Sequence, residues 1–225
     1  MTTPTDHENK LSLSYVEAIP KGRSATDIMP IVITLHGRGS NGSDLAGLAP
    51  SVDGGPGYRF ICPDAPKPFY AGPGMAYGFT WFDGWPPSAE SFAESRSLLL
   101  KFISEVLNQY PNDGRVALIG FSQGSMMALD LAFRLKPVPS AVVAMSGAVN
   151  EFTVPDTIEQ PAPPILLLHG TQDDVIPVVY ARKTRRILED RGVTPEYQEF
   201  PMGHWVTEES MALVKEFLGK AFGAL

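Results

Sequence analysis

The sequence predicts an α/β protein: a mostly parallel central sheet flanked by helices, with no large cap domain. Three observations lead there. Short continuous apolar runs, such as Ile31-Val32-Ile33-Thr34-Leu35 and Ala141-Val142-Val143-Ala144-Met145, fit strands buried on both faces. These runs alternate with stretches of helical periodicity, the pattern of βαβ units. Finally, Gly120-Phe121-Ser122-Gln123-Gly124 stands between an apolar run and a helix-like stretch, the strand, sharp turn and helix setting in which Gly-x-Ser-x-Gly forms a nucleophile elbow.

Taken in order, residues 1–10 form a polar N-terminal tail, and Leu11 to Ile19 alternates like a half-exposed edge strand. The buried run Ile31–Leu35 ends in His36-Gly37-Arg38-Gly39, and a second, Tyr58 to Cys62, ends at Pro63-Asp64. Residues 65–87 are rich in glycine, proline and aromatics, which predicts a long ordered loop over a site mouth. Ser88 to Tyr110 carries Phe92, Leu99, Phe102, Ile103 and Val106 on one helical face. It stops before the turn signal Pro111-Asn112-Asp113-Gly114. The elbow strand and its helix follow, then Ala141–Met145, a proline-rich extended connection from Thr153 to Pro164, and the strand Ile165–Leu168. Pro177 suits the first turn of a helix running to Arg191, whose basic cluster Arg182, Lys183, Arg185 and Arg186 reads as a solvated face. Thr194–Phe200 is the last strand and Val206–Phe222 the last helix.

At 225 residues, without repeats or an internal composition break, the chain is expected to form a single domain, 1–225. The formal net charge of -7 argues against a nucleic-acid partner. The lone Cys62 rules out an internal disulfide framework and, within its apolar run, is expected in the core. No signal peptide is readable, and no stretch approaches the roughly 18 apolar residues of a membrane span. A cytoplasmic protein without stable membrane insertion is the expectation.

Ligands on such sheets gather beyond the carboxyl ends of the strands. Three strand ends here carry matching chemistry: Ser122 after one, Asp173 and Asp174 after another, His204 after the last. Serine needs an adjacent base to act as a nucleophile near neutral pH. Of the four histidines only His204 follows the acids in the chain, which makes it the general-base candidate. His36 and His169, each before a glycine at a strand end, are expected to be structural. Between Asp173 and Asp174 spacing does not choose; one should orient His204 and the other cap the helix after Pro177. The elbow also points the Gln123 N–H, at a helix N-terminus, to where an oxyanion would form. No His/Cys cluster has metal-ligand spacing and no glycine loop matches a phosphate cradle, so neither a metal nor a cofactor is expected.

Leu35-His36-Gly37-Arg38-Gly39, Trp81-Phe82-Asp83, Gly120–Gly124, His169-Gly170-Thr171-Gln172-Asp173 with Val175-Ile176-Pro177, and Met202-Gly203-His204 together resemble the phospholipase/carboxylesterase group of α/β-hydrolases. That group includes acyl-protein thioesterases and small bacterial carboxylesterases. The resemblance implies the α/β-hydrolase fold, Asp173 as the triad acid, and an oxyanion hole from the backbone N–H groups of Arg38 and Gln123. Family members acting on long acyl chains often carry Leu at the position of Arg38 and Ser at that of Trp205. Arg38 and Trp205 therefore shift the expectation to a serine carboxylesterase for short- to medium-chain esters, with lysophospholipase or acyl-protein thioesterase activity as the alternative. Phe79, Trp81, Phe82, Trp85 and Trp205 are the candidate substrate-binding residues, although Trp81, Phe82 and Trp85, taken one by one, are expected to be packed more often than to touch substrate, and the exposed aromatic loop could equally pair two copies in a homodimer.

Overall fold

A computed structural model of the chain describes all residues except 1–4, 8–10, 54–56, 74, 85, 150–152, 224 and 225. Ten strands and six helices alternate among the described residues. In the first half these are β1 (Thr5–His7), β2 (Tyr15–Ala18), β3 (Ile31–Leu35), α1 (Gly42–Ala46), α2 (Ala49–Val52), β4 (Arg59–Pro63), β5 (Lys67–Gly72) and β6 (Met75–Thr80). Then come α3 (Ala89–Gln109), β7 (Val116–Phe121), α4 (Gln123–Ala132), β8 (Ala141–Met145), β9 (Ile165–Gly170), α5 (Val179–Asp190), β10 (Glu196–Phe200) and α6 (Glu208–Ala221).

Eight strands form one sheet in the order β1-β2-β4-β3-β7-β8-β9-β10. Only the β1–β2 and β2–β4 pairings are antiparallel; from β4 to β10 every neighbour is parallel. The period-two alternation of strand side chains divides the core into two faces. Ile31, Ile33, Leu35, Leu118 and Leu167 face α3, α4 and α5, whereas Val32, Ala117, Ile119, Leu166 and Leu168 face α1, α2 and α6. Burial on both sides is why these strands read as unbroken apolar runs. This is the α/β-hydrolase arrangement the sequence predicts.

Several local expectations are corrected. The segment read as a loop over 65–87 contains an antiparallel hairpin, β5 with β6, irregular between Phe69 and Gly72. Within the segment read as a polar tail, Thr5–His7 pairs with β2, so β2 is internal to the sheet. Tyr15, Val16 and Ala18 of β2 are buried, and the half-exposed alternation expected of an edge is absent.

Polar ties hold the helices behind the site in place. Arg96 of α3 forks onto the buried Asp130 of α4 at 2.6 and 2.7 Å, and Arg134 closes on the same carboxylate at 2.9 Å. A doubly paired carboxylate in the interior avoids the several kcal/mol, by general magnitude, that an unpaired one would cost. Cys62 is a buried free thiol, pushed up to about 12 by burial first of all, which keeps it out of thiolate chemistry at neutral pH.

Candidate active site

The carboxyl ends of β3, β7, β8, β9 and β10 lie side by side, and the side chains singled out in the sequence meet there. Ser122 follows β7 with φ 55 and ψ -118, a left-handed backbone that no helix or strand would supply. Its N–H donates to Met145 O at 2.9 Å, which pins the strained turn to β8. The flanking glycines are sterically required. A Cβ on Gly120 would stand 2.2 Å from Gly124 O, and one on Gly124 1.9 Å from Leu35 O.

His204 enters from the loop between β10 and α6. Its Nε2 lies 3.0 Å from Ser122 Oγ and its Nδ1 2.8 Å from Asp173 Oδ2. Nδ1 must donate to the carboxylate, so Nε2 is left as the acceptor facing the serine hydroxyl. The Asp173 side chain is fully buried, whereas that of His204 is 16% exposed, so solvent reaches the imidazole but not the carboxylate behind it. The Phe121 ring packs against the imidazole at 4.9 Å between centroids.

Asp173 does more than meet the histidine. Its Oδ1 accepts the N–H groups of Val175 at 3.0 Å and Ile176 at 2.7 Å. Asp174 is exposed, and the N-cap of α5 is Val178, with no side-chain cap bond. The expectation that one aspartate would cap α5 is therefore corrected: Asp173 takes both the histidine and the nearby amides, and α5 begins uncapped. His36 and His169 are structural, as expected. His36 Nε2 accepts the Ala65 N–H at 2.9 Å, and His169 Nε2 donates to Ile176 O at 2.7 Å. Burial, the main cause, pushes His36 down to about 4 and lowers His169 as well, so both are neutral at pH 7.

Arg38 lies in the glycine loop after β3. A Cβ on the preceding Gly37 would come 3.3 Å from Ser122 Cβ, which places this loop against the nucleophile turn. The N–H groups of Arg38 and Gln123 have no acceptor among the described residues. Gln123 is the first residue of α4, so its N–H is one of the orphan donors of a helix start.

Reading Gln123 for its amide alone misses its side chain. Gln123 Oε1 accepts from Trp81 N–H at 3.0 Å and lies 3.0 Å from Thr80 Oγ1, while Nε2 donates to Phe82 O at 3.0 Å. Trp81 Nε1 donates to His36 O at 2.8 Å, and Ser95 Oγ donates to Trp81 O. The aromatic segment after β6 is thus bolted to the elbow. Trp81 and Phe82 are buried at 0% and 1% exposure, so of the two expectations for them packing holds and a substrate-binding face is corrected: they are the floor on which the site is built. Phe79 is half-buried and ties down the glycine loop after β3, accepting Gly39 N–H at 2.8 Å and donating to Ser40 O at 2.9 Å. Trp205 is 57% exposed beside His204, and Trp85 lies outside the described residues.

The family model described as Phospholipase/Carboxylesterase matches residues 18–222. The chain belongs to the phospholipase/carboxylesterase family. It is 26% identical to acyl-protein thioesterase 1 of Kluyveromyces lactis over 235 residues, covering 94% of this chain and 99% of that one. Among solved structures it is similar to esterase PE8, at 28% identity and a TM-score of 0.75, with 91% of this chain and 99% of that chain covered. A carboxylesterase from Mesorhizobium loti superposes with a TM-score of 0.80 at 18% identity, over 96% of this chain and 98% of that one, a likeness of fold alone. The chain is a carboxylic ester hydrolase of this family with the α/β-hydrolase fold. Among the described residues no helix is long and apolar enough to cross a membrane.

Proposed function

We propose that this protein is a serine carboxylesterase for short- to medium-chain esters, with Ser122, His204 and Asp173 as its triad. The observation that carries the reading is the unbroken series Ser122 Oγ, His204 Nε2, His204 Nδ1, Asp173 Oδ2, with both links at hydrogen-bond length. Ser122 Oγ attacks the ester carbonyl carbon while Nε2 takes its proton, and Asp173 supports the imidazolium. The carbonyl oxygen, now an anion, is received by the N–H groups of Arg38 and Gln123; one such donor is worth about 3 kcal/mol on the transition state. The intermediate collapses, Nε2–H protonates the leaving alcohol, and an acyl-Ser122 remains. Water then attacks that acyl carbon, giving its proton to Nε2, and the acid departs as Ser122 recovers its hydrogen. The reading asks for no metal or cofactor.

Support for short acyl groups comes from Arg38, whose charged guanidinium stacks on Phe69 beside the glycine loop after β3 and would be a poor neighbour for a long apolar chain. A thioesterase reading is favoured by the name of the Kluyveromyces relative. The two separate on p-nitrophenyl esters from acetate to palmitate and on matched acyl thioesters. We expect kcat/KM to peak at short chains, with Ser122→Ala lowering kcat by about 10⁴-fold or more. A peak at palmitate, or thioesters preferred to esters of the same acyl group, would overturn the short-chain ester assignment.

A further inference from the structure

The esterase reading uses only the backbone N–H of Arg38. Its side chain is exposed, and its guanidinium carbon stands 4.6 Å from the centre of the Phe69 ring. Among the described residues, no carboxylate is within ion-pair distance of Arg38, whereas Arg59, Arg96, Arg115 and Arg182 each have one. The location is fixed rather than incidental. Gly39 N–H is bonded to Phe79 O at 2.8 Å, and a Cβ on Gly39 would sit 3.0 Å from the Phe69 ring. Loop and hairpin therefore interlock beneath the cation, next to the turn that carries Ser122.

An arginine stacked on an aromatic ring spends one face of its plane on the ring and keeps its N–H edges for an oxyanion. A neutral substrate gains nothing from those edges. A carboxylate gains two parallel charge-assisted bonds. The whole chain carries -7, so an anionic substrate would meet repulsion elsewhere on the surface and attraction at this mouth. We propose that the Arg38 side chain is an anion anchor and that the preferred substrates are esters carrying a carboxylate on the acyl or alcohol part. This rests on the serine-esterase reading above.

The test is kcat/KM on two matched pairs. Mono-p-nitrophenyl glutarate against p-nitrophenyl butyrate places the carboxylate on the acyl side, and 4-acetoxybenzoate against phenyl acetate places it on the leaving group. In each pair the anionic-to-neutral ratio is compared between wild type, Arg38→Leu and Arg38→Lys, so that any common effect on the oxyanion loop cancels. We expect the ratio of one pair to fall about fivefold to tenfold in Arg38→Leu, mainly through KM, with part retained in Arg38→Lys. That pair identifies the side of the ester that is anchored. In wild type the same ratio should fall as salt is raised. Equal ratios in wild type and Arg38→Leu for both pairs would overturn the anchor. Should Arg38→Leu fail to fold, a salt-independent wild-type ratio would do so. Absence of Ser122-dependent hydrolysis on all four substrates would instead overturn the esterase reading.

Discussion

Asp173 and Asp174 are chemically identical neighbours, and their environments separate them. Asp173 has a fully buried side chain that accepts two backbone N–H groups and faces His204, while Asp174 is exposed. Asp173→Asn keeps the size but replaces an acceptor by an amide that can present N–H to His204, which favours the wrong tautomer. We expect Asp173→Asn to lower kcat by about 10³–10⁴-fold and Asp174→Asn to stay within about twofold of wild type, read on any short p-nitrophenyl ester. Equal losses in the two variants would contradict the assignment. Ser122 and His204 were legible in the sequence because chain order and strand-end position single them out. Asp173 was legible only through the family motif, since spacing does not separate adjacent residues. The expected aspartate cap of α5 failed because the helix starts only at Val179 with Val178 at its N-cap, beyond both aspartates, and Asp173 gives its second oxygen to the amides of Val175 and Ile176.

At the level of elements, the elbow and the segment after β6 behave as one unit through Gln123. Gln123→Ala preserves the α4 N–H but strands the buried Trp81 N–H, while Phe82 O keeps the Thr80 hydroxyl 2.9 Å away. Leaving such a group without a partner costs about 1–3 kcal/mol, partly recovered where water can enter. We therefore expect urea denaturation to show a stability loss of about 1–3 kcal/mol, against a few tenths for a surface glutamine such as Gln198. An unchanged midpoint would mean the segment is held by packing alone. The parallel strands were legible because burial on both faces leaves apolar runs. The hairpin β5–β6 was not: the burial pattern of β5 is mostly exposed, the register is broken by irregularities, and the glycines and prolines imitate a loop. Likewise β1 pairs through its backbone, with exposed side chains at Thr5 and Asp6 that leave no apolar trace in the sequence.

Across the whole molecule, the buried histidines couple stability to acid. His36 binds its proton at about 4 in the folded protein and near 6.5 when unfolded, with burial as the main cause. Between those values the unfolded chain holds more protons, so stability rises with pH; it is complete above about 6.5 and is lost progressively as pH falls toward 4. For His36 the loss amounts to about 3 kcal/mol, and His169 shifts in the same direction. Unfolding free energies at about pH 7, 5.5 and 4.5 should fall steadily, and His36→Asn should start lower but show a flatter slope. A parallel slope in that variant would place the acid sensitivity elsewhere. That scaffold holds together five strand ends, and the proposed chemistry draws on four of them, those of β3, β7, β9 and β10.

The most direct measurement of that chemistry is labelling with a p-nitrophenyl phosphonate ester followed by peptide mass mapping. The account predicts one adduct per chain, on Ser122, formed in step with loss of esterase activity, and no adduct in Ser122→Ala or on unfolded protein. Full inactivation with the label on another residue, or esterase activity surviving stoichiometric modification of Ser122, would contradict it.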